Sequence, residues 1–189
     1  MSALIDALNY ALDRRIALNS EFASIIFPGL SRKKIMKMTR AIPCKIPEEL
    51  IELYKWHNGA DYVYDNFIPG FEFKPLEYAI KMNGAYNEYC DDIALSIMDC
   101  NGDAQLCIVL GKDTSTAPIY CRDMEFGIYE QCFESLTTMF QTIAACFDDE
   151  IYYWDVESKI IQGRYYDRYC QIHKSYNPNS SLLRRMYLC

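Results

Sequence analysis

The sequence predicts an α+β domain in which helices pack against a largely antiparallel central sheet, with an N-terminal helix and a C-terminal helical extension. Three observations carry that expectation. Apolar residues recur at steps of three and four through residues 1–60, the period of a half-buried helix. From Asp92 the pattern changes to short apolar runs separated by turn residues, as strands require. Helical spacing then returns over 134–147. Helices, then strands, then helices form segregated layers, not the alternation of a parallel sheet.

The first helix is expected over 3–18, where Leu4, Leu8, Ala11, Leu12 and Ile16 share a stripe. Phe27-Pro28-Gly29 breaks the chain. Ser31 is placed to cap a second helix, with Ile35 and Met38 inward and Lys33, Lys34, Lys37 and Arg40 outward. Pro43 ends that segment. Residues 46–59 then read as a complete helix. Pro47 suits a first turn, where a missing N–H costs nothing. Glu48 and Glu49 put negative charge at the positive end of the helix dipole. Leu50, Leu53, Tyr54 and His57 form its inward face, and Asn58-Gly59 supplies a left-handed stop. Residues 62–70 are aromatic and acidic and end in Pro69-Gly70, so strand and loop are expected there. A fourth helix is expected over about 75–86.

Residues 93–98 and 106–110 are apolar runs flanking Asn101-Gly102, the dipeptide that favours a tight hairpin turn. Residues 118–122 and 126–131 form a further pair joined near Asp123. The next helix, over 134–147, carries Leu136, Phe140, Ile143 and Phe147 on one face. In the tail, Ile161, Tyr165, Tyr169, Ile172 and Tyr176 make a helical stripe weakened by Gly163. Two readings of that basic, tyrosine-rich tail stand beside each other. Aromatic and basic residues interleaved can hold single-stranded nucleic acid. The expected role is a helix docked on the domain, its basic face toward acidic residues.

Charge is segregated along the chain. Residues 1–60 hold nine Lys/Arg and six Asp/Glu, residues 61–160 five and nineteen, and residues 161–189 five and one. An acidic middle disfavours direct nucleic-acid binding, because phosphate contacts need Lys and Arg. It suits either solubility or a basic protein partner. No apolar run reaches the roughly 18–20 residues of a membrane-spanning helix. Asp6, Asp13, Arg14 and Arg15 interrupt the N-terminal apolar stretch, so no secretory signal is read there. The nine cysteines contain no C-x-x-C pair and lie largely in apolar segments, where a thiol packs as a small hydrophobe. A cytoplasmic, reduced protein without disulfides, metal or other cofactor is expected.

Catalytic patterns are likewise not expected. The chain lacks G-x-S-x-G, G-x-G-x-x-G and H-E-x-x-H. Asp99, Asn101 and Asp103 have the spacing that opens a calcium loop, but Ala104 and Leu110 occupy its sixth and twelfth positions, so a tight turn is expected. His57 reads as a packing residue of its helix. Asp91-Asp92 and Asp148-Asp149-Glu150 read as solvated helix ends.

The combination over 46–59 resembles the SUKH superfamily, which includes yeast cell-wall assembly regulators and many bacterial immunity proteins. Gly29-Leu30-Ser31 leading to Ile35 is similar to the family's first helix, and Ile46-Pro47, Leu50, Leu53-Tyr54 and Asn58-Gly59 to its Leu/Ile-Pro helix. Pro75 to Ala79, Asn101-Gly102-Asp103 and Phe133 through Phe140 resemble the later blocks, in the same order. The resemblance spans about 29–147 and places a SUKH-like domain at 29–150, with an N-terminal extension at 1–28 and a packed helical tail at 151–189. The chain departs from the pattern in its tryptophans: many members carry one near the central strands, where this chain has none.

The resemblance implies a non-enzymatic binding protein. An immunity protein that neutralises a cognate toxin, often a nuclease, is the expected function; a regulatory or scaffold module binding endogenous signalling proteins is the alternative. A nuclease must be basic to hold phosphate, so an acidic inhibitor fits it. Tyr62, Tyr64, Asp65 and Phe67 have the composition of an interface, with Glu88, Asp91, Asp92 and Asp103 as further candidate contacts. The other reading of 62–67 is a strand packing alternate residues into the core.

Overall fold

The computed structural model describes residues 2–61, 67–86, 93–111, 116–123 and 129–181. The chain opens with α1 (Ala3–Leu18), capped by the Ser2 hydroxyl, which accepts from the Ile5 N–H. Its stripe is buried at Leu4, Leu8 and Ala11, as the spacing predicts. A short α2 (Phe22–Ile25) leads into β1 (Ile26–Pro28). Ser31 caps α3 (Arg32–Met38) by accepting from the Lys34 N–H at 3.2 Å. A 3-10 turn follows at Thr39–Ala41.

The helix expected over 46–59 is α4 (Glu48–Trp56), and it ends earlier than the sequence pattern indicates. His57 adopts extended backbone and begins β2 (His57–Ala60), antiparallel to β1 with Ile26 opposite Ala60. Asn58-Gly59 is therefore not a helix stop. His57 leaves the helix face and holds the Phe27 carbonyl through Nδ1 at 3.0 Å. Strand pairing outcompetes the fourth turn because each extended residue gains a partner that a helix end lacks.

The central sheet consists of β3 (Glu72–Phe73), β4 (Ile93–Cys100), β5 (Ala104–Leu110), β6 (Ile119–Asp123) and β7 (Tyr129–Phe133). It is antiparallel throughout in the order β3-β4-β5-β6-β7. The expected hairpin joins β4 to β5. Asn101 and Gly102 both have positive φ, 47° and 86°, in the three-residue loop between the paired Cys100 and Ala104, and the Asp103 N–H donates to the Cys100 carbonyl. Register puts Leu95, Leu106, Ile108, Ile119 and Cys121 on one face, all nearly inaccessible. The other face carries Ser96, Asp99, Gln105 and Cys107, also buried.

Helix α5 (Leu76–Tyr86) packs along β4, and α6 (Leu136–Asp148) follows β7 and packs along α1. Ser135 and Thr138 form a reciprocal capping box at the start of α6. The tail differs from the expected single helix. Tyr152–Asp155 and Ile160–Gly163 form a hairpin, β8 and β9, and only then does α7 (Tyr166–Tyr176) begin. Ile161 thus belongs to a strand, and Tyr165, with φ 60°, marks the helix entry. Of the expected stripe, Ile161, Tyr169 and Ile172 are buried, whereas Tyr165 and Tyr176 are exposed. Asp155 secures the turn by accepting from the Glu157 N–H and the Ser158 hydroxyl.

Candidate interaction surface

Helix α4 positions the surfaces around it. Its first-turn Glu49 reaches the start of α6, where the carboxylate accepts from the N–H groups of Leu136 and Thr137, both at 3.3 Å, and from the Thr137 hydroxyl. The acid serves the dipole of a neighbouring helix as well as its own. At the other end, Asn58 Oδ1 accepts from the Leu76 N–H at 3.0 Å, capping α5 from eighteen positions away. Gly59 has φ 87°, and a Cβ there would lie 2.6 Å from Pro75 N. The Asn-Gly pair is thus the seat on which α5 begins.

Two of the residues expected to contact a partner fall in described segments. Asp103 is exposed at the tip of the β4–β5 hairpin. Behind it Asp99, 4% exposed, accepts from Tyr78 Oη at 2.9 Å, Gln105 Nε2 at 2.7 Å and the Gly102 N–H at 2.9 Å. That carboxylate fixes the turn, so Asp103 is presented on a rigid tip. Phe67 lies elsewhere. It is 1% exposed, edge-on to Phe22 at 5.0 Å and to Phe140 at 5.9 Å, with Trp56 beside it. At this position the core-packing alternative holds, because a ring surrounded by rings is worth more buried than displayed. Tyr62, Tyr64, Asp65, Glu88, Asp91 and Asp92 lie outside the described residues.

A groove of about 490 Å³ runs between α1 and α6 and reaches Tyr176 at the end of α7. Asp6, Tyr10 and Asp148 line it. Arg14 bridges two of these: its Nε lies 2.9 Å from Asp148 Oδ1, and its Nη2 donates to Tyr10 Oη at 2.6 Å. Tyr10 in turn donates to the Asp148 carboxylate. The rest of the acidic run is compensated by the tail: Arg164 pairs with Glu150 and Arg168 with Asp149. Two basic residues of the tail, Arg164 before α7 and Arg168 within it, thus meet acidic residues. None of the groove residues was expected from sequence. Asp6 and Tyr10 share a helix edge at i and i+4, a visible signal, but nothing in the sequence says that this edge faces α6.

The model of the SMI1 / KNR4 family (SUKH-1) matches residues 29–142, more than half of the chain. The chain belongs to this family. No curated protein sequence matches it. The SUKH-1 match begins at Gly29, which seats β1 against α4, and ends inside α6. Helix α1, the β8–β9 hairpin and α7 lie outside it, yet they pack on the SUKH-1 core. Arg15 of α1 is wholly buried with its guanidinium 4.3 Å from the Phe22 ring and 5.2 Å from the Trp154 ring. Asn177 binds the core from the tail, donating to Thr142 Oγ1 and accepting from the Glu134 N–H.

Burial pushes the Cys146 thiol up to about 12 and the Cys132 thiol well above its ordinary value, so neither is an activated nucleophile. Burial holds both His57 and His173 below the usual imidazole value. Among the described residues no cluster of His, Cys, Asp and Glu could hold a metal ion. No helix there is long and apolar enough to cross a membrane.

Proposed function

We propose that this protein acts by binding another protein, as an immunity protein that neutralises a cognate toxin domain of basic character inside the cell. The SUKH-1 match over 29–142 is the observation that carries this reading. The acidic surplus of residues 61–160 sets the sign of the partner, and the rigid hairpin tip offers Asp103 to it. A nuclease toxin exposes the lysines and arginines that hold phosphate, and an acidic inhibitor both associates faster with that surface and covers it.

The test is co-expression with basic toxin domains encoded beside the gene, followed by calorimetry of any pair in which cells survive. Protection is expected, with a Kd on the order of nanomolar. Raising the salt concentration is expected to slow association steeply, because exposed charges are screened. Charge reversal at Asp91, Asp92 and Asp103 together is expected to slow it about tenfold or more. Unchanged kinetics would remove the electrostatic part of the proposal. Survival with no toxin, and capture of endogenous signalling proteins alone, would favour a regulatory scaffold.

A further inference from the structure

The groove between α1 and α6 has the chemistry that recognises a guanidinium. It is lined by Ala3, Ala7, Ala144 and Ala145, whose small side chains allow an incoming chain to come close to both helices. Tyr10 and Tyr176, 42% and 37% exposed, supply aromatic walls, and Asp6 and Asp148 supply carboxylates. Among the described residues no lysine or arginine lines it. Arg14, at the rim, shows what this wall accepts. Its Cζ stands 4.8 Å from the centroid of the Tyr10 ring while its Nε bonds Asp148. Ring contact and charged hydrogen bond together are the arrangement an arginine prefers. The half of the groove near Asp6 is open to a second cation: Asp6 makes no ion pair among the described residues.

We infer that this groove seats an arginine-bearing segment of the basic protein partner, and that it sets partner choice. The inference rests on the reading that the chain binds a basic protein. Of the described residues lining the groove only Gln141 falls within the SUKH-1 match; the others belong to α1, the end of α6 and α7. The recognition surface is therefore shared between α6, which begins inside the match, and α1 and α7, which lie outside it.

The experiment titrates the isotopically labelled full chain with a short amphipathic helical peptide whose arginines are spaced three and four residues apart. A peptide with glutamates in their place is the control. Saturable amide shifts are expected at Ala3 to Tyr10, Gln141 to Asp148 and Tyr176, with the arginine peptide alone. Asp6→Asn and Ala145→Arg are expected to weaken binding about tenfold, and Arg14→Ala, which frees Asp148 and removes a competing cation, to strengthen it. Melting temperatures and the unperturbed sheet resonances show that each variant is folded, and Ala145→Ser is expected to bind normally. Shifts centred on the Asn101–Asp103 turn, absence of saturation by about 1 mM, or unchanged binding by Ala145→Arg would overturn the inference. So would concentration-dependent shifts without peptide, which would give the groove to a second copy of the chain. In cells, Ala145→Arg that still protects against the toxin removes the groove and leaves the immunity reading. Peptide binding at the groove without protection by the unmodified chain does the reverse.

Discussion

At the residue scale, the tightest constraint is Gly29. A Cβ there would lie 1.9 Å from the Lys55 carbonyl oxygen and 2.8 Å from that of Trp56. Both are backbone atoms of α4, so neither can swing aside. Gly29→Ala is expected to lower stability by about 3 kcal/mol or more, read by denaturant melts, because it parts β1 from α4. His173 gives a second prediction. Its Nε2–H donates to the Cys132 carbonyl, which leaves Nδ1 as a buried bare acceptor among Phe133 and Tyr169. Protonating Nδ1 would create a buried cation, so the folded value lies below the ordinary 6.5 through burial first and Lys174 in smaller part. The unfolded chain then takes up its proton first as pH falls. Stability from this group is complete above about pH 6.5 and declines below it, through the lower folded value. His173→Gln keeps a donor for Cys132 and cannot titrate. It is expected to reduce the loss of melting temperature between neutral and mildly acid pH; an identical slope would exclude His173 as its source.

At the scale of elements, α4 organises its neighbours by capping them. Glu49→Ala removes a carboxylate from two α6 amides and a hydroxyl, and is expected to cost about 1 kcal/mol. Asn58→Ala uncaps α5 at a similar cost. Hydrogen exchange distinguishes the two, with faster exchange at Leu136 and Thr137 in the first and at Leu76 in the second. These connections explain which elements were legible. The limits of α1, the Ser31 cap and the Asn101-Gly102 hairpin follow from residues close together in sequence, and local pattern reveals them. The end of α4 does not, because it is decided by β1, some thirty residues earlier, and by Pro75, which needs Gly59 bare. The tail departs from its pattern for another reason: Ile161 and Tyr165 fit a period of 3.6 by coincidence, while Ile161 pairs with Trp154 across the β8–β9 hairpin and Tyr165 only precedes α7. Of the candidate contacts, Asp103 was legible as a turn residue. Phe67 was not, since only the folded arrangement of Phe22, Trp56 and Phe140 makes a pocket for it. The groove at Asp6, Tyr10 and Asp148 joins helices more than a hundred residues apart, a juxtaposition no local pattern carries.

At the scale of the whole molecule, the segments beyond the family match belong to one core with it. Leu4, Leu8, Ala11 and Phe22 from the N-terminal segment are each at most 1% exposed, as is Tyr169 from the tail; Tyr152, Ile161 and Ile172 from the tail are at most 7% exposed. All of them fall in a single hydrophobic cluster with the sheet and with α4 and α6. Trp56 of α4 donates to Asn9 of α1, and Arg15 ties α1 to Trp154 of the hairpin. A fragment of residues 29–150 would therefore expose one side of α6 and leave cavities where Phe22 and Leu8 sit. Each fully buried apolar side chain lost forfeits roughly 1.5–3 kcal/mol. Three such losses from the N-terminal segment alone, at Leu4, Leu8 and Phe22, are comparable with the roughly 5–15 kcal/mol that holds a domain folded. The fragment is expected to show poorly dispersed amide resonances and no cooperative melt, whereas the full chain unfolds in one transition. A dispersed spectrum for 29–150 would show instead that the SUKH-1 core stands alone and that its additions serve only recognition.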